Sequence, residues 1–135
     1  MRPEFLVDRS LGRHQVPDAL RAAGFVARTL FDVYGDAEEA LADTTWLRDA
    51  GRSGWAVLTA DPRIRRRHHE LAVVRDEAVR IFALPRGDLR GVAQAARFTD
   101  NLARMLRACE QAGPFIYVVY ANHIERRYPR EDEPG

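Results

Sequence analysis

Short apolar runs alternate with longer amphipathic segments along this chain, and the alternation predicts its secondary structure. Runs rich in β-branched and aromatic residues predict strands at residues 5–7, 25–30, 55–59, 80–84 and 115–120. Helical spacing of apolar positions predicts helices at residues 16–23, 43–51, 68–79 and 88–111, the last being the longest. Residues 31–42 fit neither pattern, although the Gly35-Asp36 pair marks a turn.

The order of these elements favours an α/β fold with one domain. Strands that are separated by helices pair in parallel through right-handed crossovers. With 135 residues, of which 46% are hydrophobic, the chain can bury a sizeable core. We expect the domain to span residues 1–125, and the polar residues 126–135, which include two prolines, to form a frayed tail.

The composition excludes several kinds of site. No apolar run approaches the roughly 18 residues of a membrane span, and the N-terminus lacks the pattern of a signal peptide, so we expect a cytoplasmic protein without a membrane partner. Cys109 is the only cysteine, which excludes an intrachain disulfide and a cysteine-rich zinc site. All 21 basic residues are arginine, which excludes every mechanism that needs a lysine.

Three aspartates carry the candidate chemistry. Asp8 directly follows the first predicted strand, Asp61 follows the third, and Asp43 opens the helix between them. Because sites in parallel sheets form beyond the carboxyl ends of the strands, we expect these side chains to meet. Three carboxylates repel one another unless a cation compensates, and oxygen ligands suit Mg²⁺ or Mn²⁺. The pattern therefore points to phosphodiester hydrolysis; the alternative is that each aspartate is a helix cap or turn residue.

The segment from Asp43 to Ile64 resembles the C-terminal signature of PIN-domain ribonucleases. Its sequence, DTTWLRDAGRSGWAVLTADPRI, has an Asp that opens a helix, a Gly, an apolar strand, then Thr59-x-Asp61 and an apolar residue three positions later. The interval of 18 residues between Asp43 and Asp61 is common in that family. The opening Phe-Leu-Val-Asp8 resembles the family's first strand and first acid, and the short spacing is most similar to the compact branch found in VapC-type toxin–antitoxin pairs.

The resemblance implies a fold, an activity and a set of partners. The fold would be a single three-layer domain with a mostly parallel central sheet of four to five strands flanked by helices. The activity would be metal-dependent RNA hydrolysis, with Asp8, Asp43 and Asp61 holding Mg²⁺ or Mn²⁺ and Thr59 positioning the Asp61 carboxylate or a metal-bound water. The partners would be an RNA substrate, a cognate antitoxin and a second copy of the chain in a homodimer.

Several arginines are candidates for contacts with the RNA backbone. Residues 51–107 contain 12 arginines and 6 acids, whereas both flanking segments are net acidic. Arg63, Arg65, Arg66 and Arg67 follow shortly after Asp61, where they could hold phosphates or simply form a solvated helix face. Arg9 and Arg13, which follow the first predicted strand, are further candidates for RNA binding.

Two departures from the family pattern leave alternatives open. Arg9 stands where many compact relatives have an acid. Asp36, Glu38 and Glu39 lie in the interval where longer PIN domains have a further acid, but they lack its sequence context. A non-catalytic PIN-like module that binds RNA or protein is therefore one alternative. A receiver-like signalling domain, which also uses acids at strand ends, is another, although the absence of lysine argues against it.

Overall fold

A six-stranded sheet forms the centre of the molecule in the computed structural model, which describes residues 2–86 and 89–130. The strands are β1 (Phe5–Val7), β2 (Ala27–Thr29), β3 (Ala56–Thr59), β4 (Arg80–Ala83), β5 (Phe115–Val119) and β6 (Ile124–Tyr128). Their order is β2-β1-β3-β4-β5-β6, with parallel pairing throughout except between β5 and β6. The predicted α/β fold with a mostly parallel sheet is confirmed.

Six α-helices connect or flank the strands within the described residues. They are α1 (Gln15–Ala22), α2 (Leu30–Tyr34), α3 (Asp43–Ser53), α4 (His68–Asp76), α5 (Gly91–Asp100) and α6 (Leu102–Ala108). Three 3-10 turns lie at Arg9–Leu11, Gly35–Ala40 and Pro62–Arg66. The ambiguous residues 31–42 therefore contain most of α2 and the second of these turns. No helix within residues 2–86 and 89–130 is long and apolar enough to cross a bilayer.

The sheet is buried on both faces, which explains why its strands are continuous apolar runs. Successive residues of a strand point to opposite faces, so Phe5 and Val7 join one core cluster while Leu6 joins the other. The first cluster includes side chains from α1, α5 and α6, and the second includes side chains from α2, α3 and α4. The molecule thus has three layers, and the carboxyl ends of β1, β3, β4 and β5 share one edge.

The single long helix predicted for residues 88–111 is instead two helices. Asn101 separates α5 from α6, and its backbone angles (φ −104°, ψ 8°) leave the helical region. Its side chain is fully buried, and Nδ2 donates hydrogen bonds to the carbonyl oxygens of Arg97 at 2.8 Å and Tyr120 at 2.7 Å. The break therefore joins the helix to the end of β5. Asp88, the first residue of the predicted helix, lies outside the described residues.

The predicted tail and strand number also need correction. Residues 124–128 form β6, which pairs with β5 and buries Tyr128 to 8% exposure. The sheet therefore has six strands rather than four or five, and it extends beyond residue 125. The sequence does not reveal β6 because an edge strand exposes part of its length, here Glu125 and Arg126. Residues 131–135, the remainder of the predicted tail, lie outside the described residues.

Candidate active site

Asp8 lies at the centre of the candidate site, where β1 ends. The parallel register pairs Val7 with Leu58, so the next residues, Asp8 and Thr59, lie side by side. Thr59 Oγ1 donates a hydrogen bond to Asp8 Oδ2 at 2.7 Å, and Ser10 Oγ donates to the same oxygen at 2.8 Å. Asp8 is only 7% exposed. Two hydroxyl groups thus orient a nearly buried carboxylate.

Burial and a neighbouring charge both act on the titration of Asp8. Burial raises the pKa of Asp8 above its ordinary value, while the hydrogen bonds from Thr59 and Ser10 act in the opposite direction. The negative charge of Asp43 raises this pKa further. Asp8 and Asp43 therefore lie within electrostatic reach of each other. A cation placed beside Asp8 would favour its ionised form.

Asp43 is held by a tryptophan of its own helix. It is the first residue of α3, and its Oδ1 accepts a hydrogen bond from Trp46 Nε1 at 3.0 Å. Trp46 is 2% exposed and belongs to the core. Its indole ring therefore fixes the Asp43 carboxylate, and the buried ring is not available for base stacking.

Asp61 is engaged by two arginines that follow it. Its Oδ1 accepts hydrogen bonds from the backbone N–H and the Nε of Arg63, at 3.0 and 3.1 Å. Its Oδ2 accepts from Arg67 Nη2 at 2.6 Å. Partial burial acts to raise the pKa of Asp61, but these hydrogen bonds outweigh it and hold the pKa below its ordinary value. The carboxylate is thus already neutralised by arginine.

Two residues of the site were missed in the sequence. Ser10 Oγ contacts Asp8 and Thr59, and it also accepts a hydrogen bond from the Ala60 backbone N–H at 2.9 Å. Glu70, in the first turn of α4, pairs with Arg67 at 3.2 Å. Burial raises the pKa of Glu70, Arg67 opposes this, and the charges of Asp43 and Asp61 raise it again. Of the two, only Ser10 could have been suggested by the sequence, because it lies two residues after Asp8.

Thr59 and the arginines take partners that spacing alone did not indicate. Thr59 Oγ1 bonds the Asp8 carboxylate and accepts from the Asp61 backbone N–H at 3.1 Å, so it orients Asp8 rather than the Asp61 carboxylate. Arg13 Nη2 lies 2.9 Å from Glu38 Oε1, and Arg9 Nε lies 3.6 Å from Glu38 Oε2. Both arginines therefore neutralise Glu38, which is only 6% exposed.

The remaining arginines differ in exposure. The Arg63 side chain is 72% exposed even though it contacts Asp61. Arg66 is also exposed, whereas the side chain of Arg65 lies outside the described part of the molecule. Arg63 and Arg66 are thus available to a ligand that approaches from solvent.

The donor set suits a hard divalent cation in its chemistry but is incomplete in its geometry. Asp8, Asp43, Asp61 and Glu70 offer oxygen ligands, which Mg²⁺ and Mn²⁺ prefer. Across residues 2–86 and 89–130, however, no group of three or more acidic, histidine or cysteine side chains is arranged to hold a metal ion. Both oxygens of Asp61 accept hydrogen bonds from arginines instead.

Comparisons with known proteins agree on one family. The model for a PIN-like domain matches residues 3–86, a segment that includes Asp8, Asp43 and Asp61. The protein named "Putative ribonuclease VapC45" from Mycobacterium tuberculosis (strain ATCC 25618 / H37Rv) is 40% identical over 121 residues, which make up 89% of this chain and 88% of the relative. No solved structure matches significantly.

Proposed function

Because this chain belongs to the PIN-like domain family, we propose that it is a metal-dependent ribonuclease and the toxin of a type II toxin–antitoxin pair. Family membership also removes the receiver-like alternative. One observation carries the proposal: Asp8 is a buried carboxylate at a strand end, oriented by two hydroxyl groups and within electrostatic reach of Asp43. Perturbed acids in such positions are typical of catalytic sites.

Asp8 and Asp43 would hold the Mg²⁺ or Mn²⁺ ion, and Asp61 would join them once Arg67 releases it. When bound, the ion would supply an activated water and stabilise the charge that builds on the scissile phosphate. Thr59 and Ser10 keep the Asp8 carboxylate oriented, and Trp46 does the same for Asp43. Arg63 and Arg66 would bind RNA phosphates beside the site.

Asp61 and Glu38 limit what the neighbouring arginines can do before a ligand binds. Arg67 competes with a metal ion for the Asp61 carboxylate. An RNA phosphate is a competing anion for Arg67, so substrate binding would favour the release of Asp61. Arg9 and Arg13 would contact RNA only at the expense of their pairing with Glu38.

The partners follow from the relative rather than from the geometry. The VapC name of the relative supports a cognate antitoxin and an RNA substrate for this chain as well. The antitoxin would act by covering the groove beside Asp8 or by displacing the metal ion. A homodimer and a cytoplasmic location remain predictions from the family resemblance and the composition.

A cleavage assay tests the proposed activity. Single-stranded RNA is incubated with the protein and Mn²⁺, with and without EDTA, beside Asp8→Asn and the matched control Asp76→Asn on the exposed end of α4. We expect EDTA to abolish cleavage and Asp8→Asn to reduce the rate at least about 100-fold, since even residues that only orient a metal ligand contribute 10–100-fold. Asp76→Asn should cleave like the wild type. Cleavage that persists in EDTA and in Asp8→Asn would rule out this site.

The engagement of Asp61 by arginines favours a second candidate, a non-catalytic PIN-like module that binds RNA or protein. In this case the acids would be too well neutralised to recruit a metal ion. Calorimetric titration with Mn²⁺ separates the candidates. Heat of binding from the wild type that is lost in Asp8→Asn supports the nuclease, whereas RNA binding without any Mn²⁺ heat or cleavage supports the module.

A further inference from the structure

A basic groove runs along the carboxyl ends of the strands, from the candidate active site beside β3 to the β5–β6 hairpin. Its first part is a cavity of about 490 Å³ whose lining includes Ser10, Asp61 and Arg63. Its second part is a cavity of about 240 Å³ whose lining includes Arg63, Arg66, Tyr120 and Arg127. Pro62, Arg63 and Pro85 belong to both linings. The two cavities are therefore neighbours along the carboxyl edge of the sheet.

The strand order sets the direction and length of this groove. Asp61 follows β3 and Tyr120 follows β5, and β4 lies between these strands. Adjacent strands are about 4.8 Å apart, so the two strand ends are separated by roughly 10 Å. A single-stranded nucleic acid covers such a distance within a few nucleotides.

Tyr120 is held rigidly at the far end of the groove. Its ring stacks on His123, with centroids 4.7 Å apart and an interplanar angle of 11°. The Tyr120 backbone N–H donates to the His123 carbonyl at 2.9 Å, and the buried Asn101 side chain holds the Tyr120 carbonyl at 2.7 Å. Arg127 donates a hydrogen bond to the Tyr120 hydroxyl. The ring is thus positioned before any ligand binds.

The chemistry of the second cavity matches one ligand class. Three arginines and one tyrosine contribute to its lining, and among the described residues no acid does. Arginines that track a phosphate backbone, combined with an aromatic ring on which a base stacks, are the usual elements of single-strand binding. The cavity is smaller than the roughly 300–1,000 Å³ of drug-sized ligand pockets, so it suits one planar ring system.

We propose that the β5–β6 hairpin is a base-binding subsite for single-stranded RNA. One base of the substrate stacks on Tyr120, and Arg63, Arg66 and Arg127 hold the adjacent phosphates. The subsite lies to one side of the acids, so it fixes which part of the strand reaches Asp8. This inference rests on the proposed ribonuclease function, because it assigns a position to that enzyme's substrate.

Base stacking can be measured without cleavage. A panel of short single-stranded RNAs, each with 2-aminopurine at one position, is titrated with the protein in EDTA. We expect one position to lose fluorescence on binding because its base stacks on Tyr120. In Tyr120→Ala this quenching should disappear and Kd should rise about 5- to 100-fold. Tyr120→Phe keeps the ring and should retain the quenching.

A matched control uses an aromatic residue at the amino ends of the strands, away from the proposed subsite. Trp55 is partly exposed and directly precedes β3, so Trp55→Leu should bind RNA like the wild type. Circular dichroism checks that each variant folds. If Tyr120→Ala binds and quenches like the wild type, the subsite is refuted, even when the wild type cleaves RNA with Mn²⁺. If the wild type binds with Tyr120-dependent quenching but never cleaves, the nuclease proposal fails and the subsite stands.

Discussion

A single side chain can affect both the function and the stability of this molecule, and Asp8 is the clearest case. Its carboxylate is nearly buried, and only two hydroxyl groups and a neighbouring backbone N–H stabilise its charge. Burying a charge without a full set of partners costs free energy. The raised pKa expresses this cost, since it means that folding favours the protonated acid. The buried carboxylate therefore lowers the stability of the fold, but it is oriented to accept a cation.

Asp8→Asn should increase stability in the absence of divalent ions. A carboxyl group whose pKa is higher in the folded chain stabilises the fold below its unfolded pKa of about 3.9, and this contribution is lost as the pH rises through the folded-state pKa. Asparagine keeps a hydrogen-bond acceptor for Thr59 and Ser10 without the charge. Urea denaturation in EDTA should therefore give Asp8→Asn a larger free energy of unfolding near neutral pH, and the advantage should vanish at about pH 4 and below.

The substitution Asp76→Asn serves as the control, because its carboxylate is 65% exposed. A wild type that is more stable than Asp8→Asn at neutral pH in EDTA would mean that Thr59 and Ser10 fully compensate the buried charge.

Secondary-structure elements act as supports for particular side chains. The parallel pairing of β1 with β3 brings Asp8 next to Thr59, although 51 positions separate them in the chain. The break between α5 and α6 has a similar role, because it points the Asn101 side chain at the carbonyl oxygens of Tyr120 and Ala121. A continuous helix across residue 101 would lack this interruption of the helical backbone. The interruption thus ties the helical layer to the β5–β6 hairpin.

Asn101→Ala tests the importance of this break. The variant leaves the partly buried carbonyl of Tyr120 without its donor, and an unsatisfied buried polar group costs about 1–3 kcal/mol. We expect a loss of about 2 kcal/mol in the free energy of unfolding, together with faster amide exchange at Tyr120, whose N–H bonds the His123 carbonyl. Asn122→Ala changes an exposed asparagine in the same hairpin and should leave both quantities unchanged. Equal stability of the two variants would show that Asn101 does not anchor the hairpin.

The charge distribution is a property of the whole molecule. Residues 51–107 are rich in arginine, and Arg63 and Arg66 of this segment lie beside the candidate active site. Other arginines of the same segment lie elsewhere: Arg52 pairs with Glu77, and Arg75 pairs with Asp76. Clustering in the sequence therefore becomes a directed patch only where the fold brings the arginines to the carboxyl edge of the sheet.

The salt dependence of RNA affinity should report this patch. Each arginine contact to a single-stranded phosphate contributes about 0.7 to the slope of log K against log salt. We expect the double substitution of Arg63 and Arg66 by Gln to lower the slope by about 0.7 for each arginine replaced. The same double substitution at Arg52 and Arg75 removes equal charge from arginines that do not line the two cavities beside the candidate active site, and it should leave the slope unchanged. Equal losses in both variants would indicate diffuse attraction rather than a localised patch.

The sequence by itself determined the α/β class, the mostly parallel sheet and the family resemblance. These features depend on local periodicity and on acids at strand ends, which short stretches of sequence display directly. The sequence did not predict β6 because an exposed edge strand shows little alternation. It did not predict the break at Asn101 because the cause of the break is a contact 19 residues away.

Only the tertiary structure decided which donor meets which acceptor. Arg67 on Asp61, Arg9 and Arg13 on Glu38, and the approach of Glu70 to the aspartates depend on how α4 and the 3-10 turns dock beside the sheet. Long charged side chains can reach several oppositely charged neighbours. Which neighbour each one contacts is therefore set by three-dimensional distance and burial, which no spacing along the chain encodes.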